Sequence, residues 1–167
     1  MIERKKTRKI KIENIFIGGD APITIQSMTN TDTRDVKSTL NQINDLKKAG
    51  CEIVRCAAFD EDACNALKEI VKNTDIPVVA DIHFDYRLAL KSIESGVSAI
   101  RINPGNIGSR ERIKLVADAA KEKNIPIRVG VNSGSLEKDL LEKYGKVCPE
   151  ALVESALRNI EILDDFN

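Results

Sequence analysis

The sequence predicts an α/β fold of the TIM (β/α)8-type barrel class, with an N-terminal hairpin ahead of its first β/α unit. Three observations predict it. Short apolar runs alternate with amphipathic segments of helical length, unit after unit, which is the sequence form of parallel strands joined by helical crossovers. Each predicted strand is apolar on one face and carries polar groups on the other, toward its C-terminal end. The turn after the first of these strands reads SMTNTDT and lacks the G-x-G-x-x-G pattern that opens a doubly wound, dinucleotide-binding sheet.

The elements follow in order. Residues 9–17, KIKIENIFI, alternate polar and apolar and run into Gly18-Gly19, as a hairpin does. The first unit is a strand at ITIQSMT and a helix from Thr33 to Ala49, with Val36, Leu40, Ile43 and Leu46 on one stripe and Gly50 as its stop. The second is a strand at EIVRCAA and a helix capped by Asp60, with Glu61 and Asp62 in its first turn and Leu67, Ile70 and Val71 inward. PVVADIH then leads to Asp85 as cap and a helix ending at Gly96. AIRINPGNIG supplies the fourth strand and a Pro-Gly turn, with Ser109 capping a helix through Val116 and Ala120. The fifth strand, PIRVGVN, precedes a longer connection containing SLEKDLLEKYG. A last helix starts at Pro149, the favoured first position, and runs through Leu157 and Ile160. A complete barrel takes eight such units and roughly 250 residues, and these 167 residues hold about the first five.

Composition narrows the class of function. A chain that is 42% hydrophobic and 31% charged suits a folded domain with a real core rather than a disordered one. Lys plus Arg number 26 and Asp plus Glu number 26, so no global field draws the chain to nucleic acid or an anionic membrane, and charge-based recognition has to come from local placement. The basic N-terminus is followed by no apolar h-region, and no run of apolar residues is long enough to span a bilayer; a cytoplasmic location is expected. Cys51, Cys56, Cys64 and Cys148 show no C-x-x-C pair and no ligand spacing, and are expected to be reduced thiols rather than metal ligands.

The candidate site follows from strand parity, because residues two apart share a face. One face carries Ile53, Arg55 and Ala57, then Val79, Asp81 and His83, then Ala99, Arg101 and Asn103, then Arg128, Gly130 and Asn132. In a barrel this face points to the axis, and functional groups sit at the C-terminal strand ends. Arg55, Arg101 and Arg128 then converge on the mouth. Three guanidinium groups crowded together repel and lose hydration, at a cost of several kcal/mol unless counter-charge is supplied. A polyanion supplies it, and the planar fork of arginine suits phosphate oxygens, so a diphosphate is the expected ligand. Asp81 pairing with these arginines in a purely structural network is the competing reading. His83, the single histidine, stands two residues after Asp81 at a strand end, where it fits an acid or a hydrogen-bond donor. Asn103 and Asn132 fit ligand contacts and also fit turn formers. Gly105 and Gly108 could offer backbone N–H groups to an anion.

The stretches IQSMTNTDTRD, VVADIHFDYRLAL, IRINPGNIG and IPIRVGVNSGSLEKDLLEKYG, in this order, resemble the N-terminal part of the 4-hydroxy-3-methylbut-2-enyl diphosphate synthase family. The resemblance runs across essentially the whole chain. It implies the reductive ring opening and dehydration of 2-C-methyl-D-erythritol 2,4-cyclodiphosphate in isoprenoid biosynthesis by the non-mevalonate route. It further implies a [4Fe-4S] cluster, flavodoxin or ferredoxin as electron donor, and a homodimer in which the cluster domain of one subunit closes over the barrel of the other. Arg55, Arg101, Arg128, Asn103 and Asn132 match its substrate-binding positions, and Asp81 and His83 match the positions expected to be catalytic. None of the four cysteines matches its cluster ligands. Residues 1–167 are therefore expected to be the N-terminal portion of the substrate-binding barrel domain, without the iron-sulfur domain, and to be inactive by themselves. A dihydropteroate-synthase-like, phosphate-binding transferase and a non-catalytic diphosphate-binding fragment are the alternatives.

Overall fold

A computed structural model of the chain describes residues 5–166. A two-stranded antiparallel hairpin, β1 (Ile10–Ile12) and β2 (Ile15–Ile17), precedes a five-stranded parallel sheet. The sheet is built of β3 (Gln26–Met28), β4 (Ile53–Ala58), β5 (Val78–Ile82), β6 (Ala99–Ile102) and β7 (Ile127–Val129), hydrogen-bonded in that spatial order. The crossovers carry α1 (Val36–Lys48), α2 (Glu61–Lys72), α3 (Tyr86–Glu94), then α4 (Pro104–Ile107) and α5 (Arg110–Glu122). After β7 come a 3-10 turn at Ser133–Ser135, α6 (Lys138–Tyr144) and α7 (Pro149–Asp164).

Sequential strands that are also spatial neighbours, each joined by a helix, form the opening arc of a (β/α) barrel rather than a doubly wound sheet, whose order reverses at a switch point. The face predicted to be apolar packs against the helices. Val54, Cys56, Ala58, Val78, Ala80, Ile82, Ile100 and Ile102 join Leu67 and Ile70 of α2, Ala89 and Ile93 of α3 and Val116 of α5 in one buried core. The other face is layered. Ile53, Val79 and Ala99 form its floor, and Ile12, Ile15 and Ile17 of the hairpin pack against that floor. The hairpin turns at Glu13, whose positive φ of 51° tightens the loop, and Ser98 Oγ donates to Glu13 Oε1 at 2.5 Å while accepting from Val78 N at 3.0 Å. A plug therefore closes the N-terminal end of the inner face and leaves the C-terminal end for chemistry.

Several boundaries differ from expectation for identifiable reasons. The helix expected from Thr33 begins at Val36, because Asp35 takes the cap position and accepts from Ser38 N. The strand expected over ITIQSMT forms only at Gln26–Met28; Ile23 and Ile25 lie exposed just ahead of this edge strand. Asp60 and Asp85 cap α2 and α3 as expected, accepting from Ala63 N and Arg87 N. The Pro-Gly segment is not an open turn but the single helical turn α4, capped by Asn103. In α7 the buried face is Ala151, Ser155 and Asn159, while Leu157 and Ile160 face outward.

Candidate functional site

The register of the sheet determines which inward side chains meet. Ala57 pairs with Asp81, Asp81 with Arg101, and Arg101 with Arg128, so one row across β4 to β7 holds a carboxylate followed by two arginines. The row below it holds Met28, Arg55, Val79 and Ala99. Arg55 reaches up from that row, and its Nε and Nη2 lie 3.2 and 3.1 Å from Met28 Sδ.

Asp81 is the hub of the cluster. Its side chain is 5% exposed; Oδ1 accepts from Arg101 Nη1 at 3.2 Å, and Oδ2 lies 3.5 Å from Arg55 Nε and 3.8 Å from His83 Nε2. A buried carboxylate keeps its charge only when partners offset its lost hydration, and Arg101 and Arg55 do so here. Arg128 has no such partner. Among the described residues no carboxylate comes within salt-bridge distance of it. Its pKa is pushed down, first by burial and then by the positive charges of Arg55 and Arg101, with Asp81 opposing. A guanidinium nevertheless stays protonated in any accessible range, so the row holds uncompensated positive charge.

The structure brings all seven expected residues to the C-terminal end of the sheet but gives them different tasks. Asn132, oriented to satisfy both of its neighbours, accepts from Arg101 Nη2 at 3.3 Å and donates to the Val131 carbonyl at 3.1 Å. Asn103 is buried and already engaged: Oδ1 accepts from Gly105 N at 3.2 Å, and Nδ2 donates to Ser135 Oγ at 2.7 Å. Ser135 Oγ in turn lies 3.2 Å from the Asn132 carbonyl, to which it donates. Asn103 thus orders the segment carrying Asn132. The Gly105 N–H is spent on this cap and is not free for an anion, contrary to expectation. His83 is 41% exposed at its side chain and faces the rim.

Parity put Gly130 on the inward face without a task and passed over Met28. Met28 stands beside Arg55 in the register, and Gly130 lies under the guanidinium of Arg101. A list of the register partners of each arginine would have flagged Met28.

Comparison with known proteins places this geometry. Residues 7–167 match the model of the GcpE TIM-barrel domain. The chain belongs to the GcpE TIM-barrel family. Its curated relatives in Clostridium acetobutylicum and Clostridium perfringens are each 66% identical over 166 residues, and both are named 4-hydroxy-3-methylbut-2-en-1-yl diphosphate synthase (flavodoxin). These alignments cover 99% of this chain and 48% of each relative, so the GcpE chain described here spans about half the length of the curated proteins it matches. Among solved structures, dihydropteroate synthases from Vibrio fischeri (TM-score 0.61, 12% identity, covering 96% of this chain and 63% of that one) and Yersinia pestis (TM-score 0.60, 10% identity, covering 92% and 58%) share the fold. At those identities the likeness is one of fold alone.

The thiols of this GcpE chain do not fit an iron-sulfur cluster. Cys51, Cys56 and Cys64 are buried, and no group of three or more His, Cys, Asp or Glu among the described residues is placed to hold a metal. Burial pushes the Cys56 thiol up to about 11 and raises that of Cys64, which disfavours the thiolate that a cluster needs. Among the described residues no helix is long and apolar enough to cross a membrane.

Proposed function

We propose that this chain is the N-terminal, substrate-binding part of a 4-hydroxy-3-methylbut-2-en-1-yl diphosphate synthase, and that its arginines hold the diphosphate of 2-C-methyl-D-erythritol 2,4-cyclodiphosphate. The observation that carries the reading is the charge imbalance around Asp81, where, among the described residues, one carboxylate serves Arg55 and Arg101 and none serves Arg128. A diphosphate supplies the missing negative charge and, through bidentate contacts, fixes its own orientation. The names of the relatives carry a diphosphate product, which fits a diphosphate-bearing substrate.

In the proposed reaction the ring C–O bond of the cyclic diphosphate breaks, two electrons and two protons are taken up and one oxygen leaves as water, giving the allylic diphosphate. Arg128 and the free edges of Arg55 and Arg101 bind phosphoryl oxygens and stabilise the charge that localises on the diphosphate as the ring opens. Asp81 holds the two arginines in place, and Asn132 holds Arg101 from its other side. His83 at the rim donates a hydrogen bond or a proton to a departing oxygen. Asn103 contributes through Ser135 and Asn132. A [4Fe-4S] cluster, for which the described residues offer no ligand set, would supply the two electrons, with flavodoxin, which the relatives' names carry, or ferredoxin as donor. A homodimer would bring such a cluster to the barrel, and residues 1–167 by themselves have no turnover.

Titration calorimetry with the cyclic diphosphate on wild-type protein and Arg101→Ala tests the reading. Loss of a hydrogen bond to a charged group predicts affinity weaker by about 1.5–3 kcal/mol. Equal affinities would sink it, and so would turnover by the purified 167-residue chain supplied with reductant.

A further inference from the structure

Gly130 stands on the inward face just beyond Arg128, and its backbone does not require glycine. It is absent from the residues with positive φ, so the chain path is open to other residues there. The space above it is not. A Cβ on Gly130 would stand 2.1 Å from Arg101 Nε, 2.3 Å from Nη2 and 2.4 Å from Cζ. Three atoms of one guanidinium thus fill the volume that any side chain on Gly130 would take. From that position Nη1 reaches Asp81 and Nη2 reaches Asn132. The glycine is pinned as well, since Gly130 N donates to the Ile102 carbonyl at 2.8 Å and ties the end of β7 to the strand that carries Arg101.

We propose that Gly130 is a positioning residue, whose missing side chain is the slot that aims Arg101 between Asp81 and Asn132 and so sets the direction in which this cation meets a diphosphate-class anion. The ligand clause rests on the function proposed above; the slot itself does not. An alanine methyl leaves the backbone undisturbed but displaces the guanidinium, because a flexible arginine tip yields before a strand does.

The test is a double-mutant cycle on the intact protein, comparing wild type, Gly130→Ala, Arg101→Ala and the pair, with two readouts. Titration with inorganic pyrophosphate should weaken about tenfold on Gly130→Ala while Arg101 is present, the loss of one charge-assisted hydrogen bond. In the Arg101→Ala background the same change should cost less than about twofold. Ligand-free melting should follow suit, with Gly130→Ala lowering the midpoint only when Arg101 is there to be displaced from Asp81. Unchanged pyrophosphate affinity in Gly130→Ala, an equal loss in both backgrounds, or failure of both alanine chains to fold would overturn the proposal. If wild type ignores pyrophosphate, the diphosphate reading falls by itself, and the melting cycle still decides whether Gly130 holds Arg101.

Discussion

Asp81 Oδ1 accepts from Arg101 Nη1 at 3.2 Å, and the carboxylate is 5% exposed against 12% for the arginine side chain. The pair is neither a surface salt bridge nor an isolated buried one. Its remaining oxygen is shared with Arg55, and a further arginine stands in the next register position. Asp81 therefore offsets cations that the free protein would otherwise hold in mutual repulsion, while leaving enough positive charge to bind an anion.

Neutralising that hub should be costly. Asp81→Asn keeps the shape but removes the carboxylate that bridges Arg55 and Arg101. Loss of one partner from a buried pair predicts a destabilisation of about 3 kcal/mol. Chemical denaturation at low salt measures it, and added pyrophosphate should recover part of the loss by replacing the missing charge.

Arg128 should behave in the opposite sense. Arg128→Gln retains a hydrogen-bonding side chain, though a shorter one, and removes a cation that burial and its neighbours disfavour. The ligand-free melting point is expected to hold or rise, while diphosphate affinity falls by about 1.5–3 kcal/mol. Parallel melting and titration of the same variant read the two signs; a falling melting point with intact binding would assign Arg128 to the scaffold.

The scaffold beneath the site has its own expectation. Ile100 precedes Arg101 on β6, points to the opposite face and is completely buried in the main core. Ile100→Ala should cost about 2–5 kcal/mol, the transfer term plus a cavity, in urea denaturation.

Acid should loosen the join of α6 and α7. Glu154 accepts from Lys143 Nζ at 2.6 Å, Tyr144 Oη at 2.7 Å and Arg158 Nη2 at 2.8 Å, and Lys143 first, then Tyr144, hold its pKa down at about 2. A depressed carboxylate pKa contributes stability that is present above the ordinary value of 4.5 and is lost as pH falls toward about 2. Melting curves of wild type and Glu154→Gln should therefore converge as pH is lowered through that window, with wild type the more stable at neutral pH.

Much of this was legible in the residues. Strand parity placed Arg55, Asp81, Arg101 and Arg128 on one face because a half-polar strand has period two, and the caps at Asp60 and Asp85 announced their helices. The short turn α4 was not legible, since Pro-Gly signals a turn and only the Asn103 side chain, held by Ser135 some thirty residues later, closes it into a helix. The task of Gly130 was hidden for a similar reason. It depends on where a neighbouring strand's arginine lies, which periodicity along one strand does not encode. The outward Leu157 and Ile160 likewise follow from the phase of α7 on β7 and α5, a tertiary choice.

The most direct measurement is a crystal structure of the protein with bound 2-C-methyl-D-erythritol 2,4-cyclodiphosphate. The account predicts phosphoryl oxygens within hydrogen-bonding distance of Arg128 and of the free edges of Arg55 and Arg101, with Asp81 still holding the latter two. Density for the diphosphate elsewhere, with the three guanidinium groups contacting only protein and water, would contradict it.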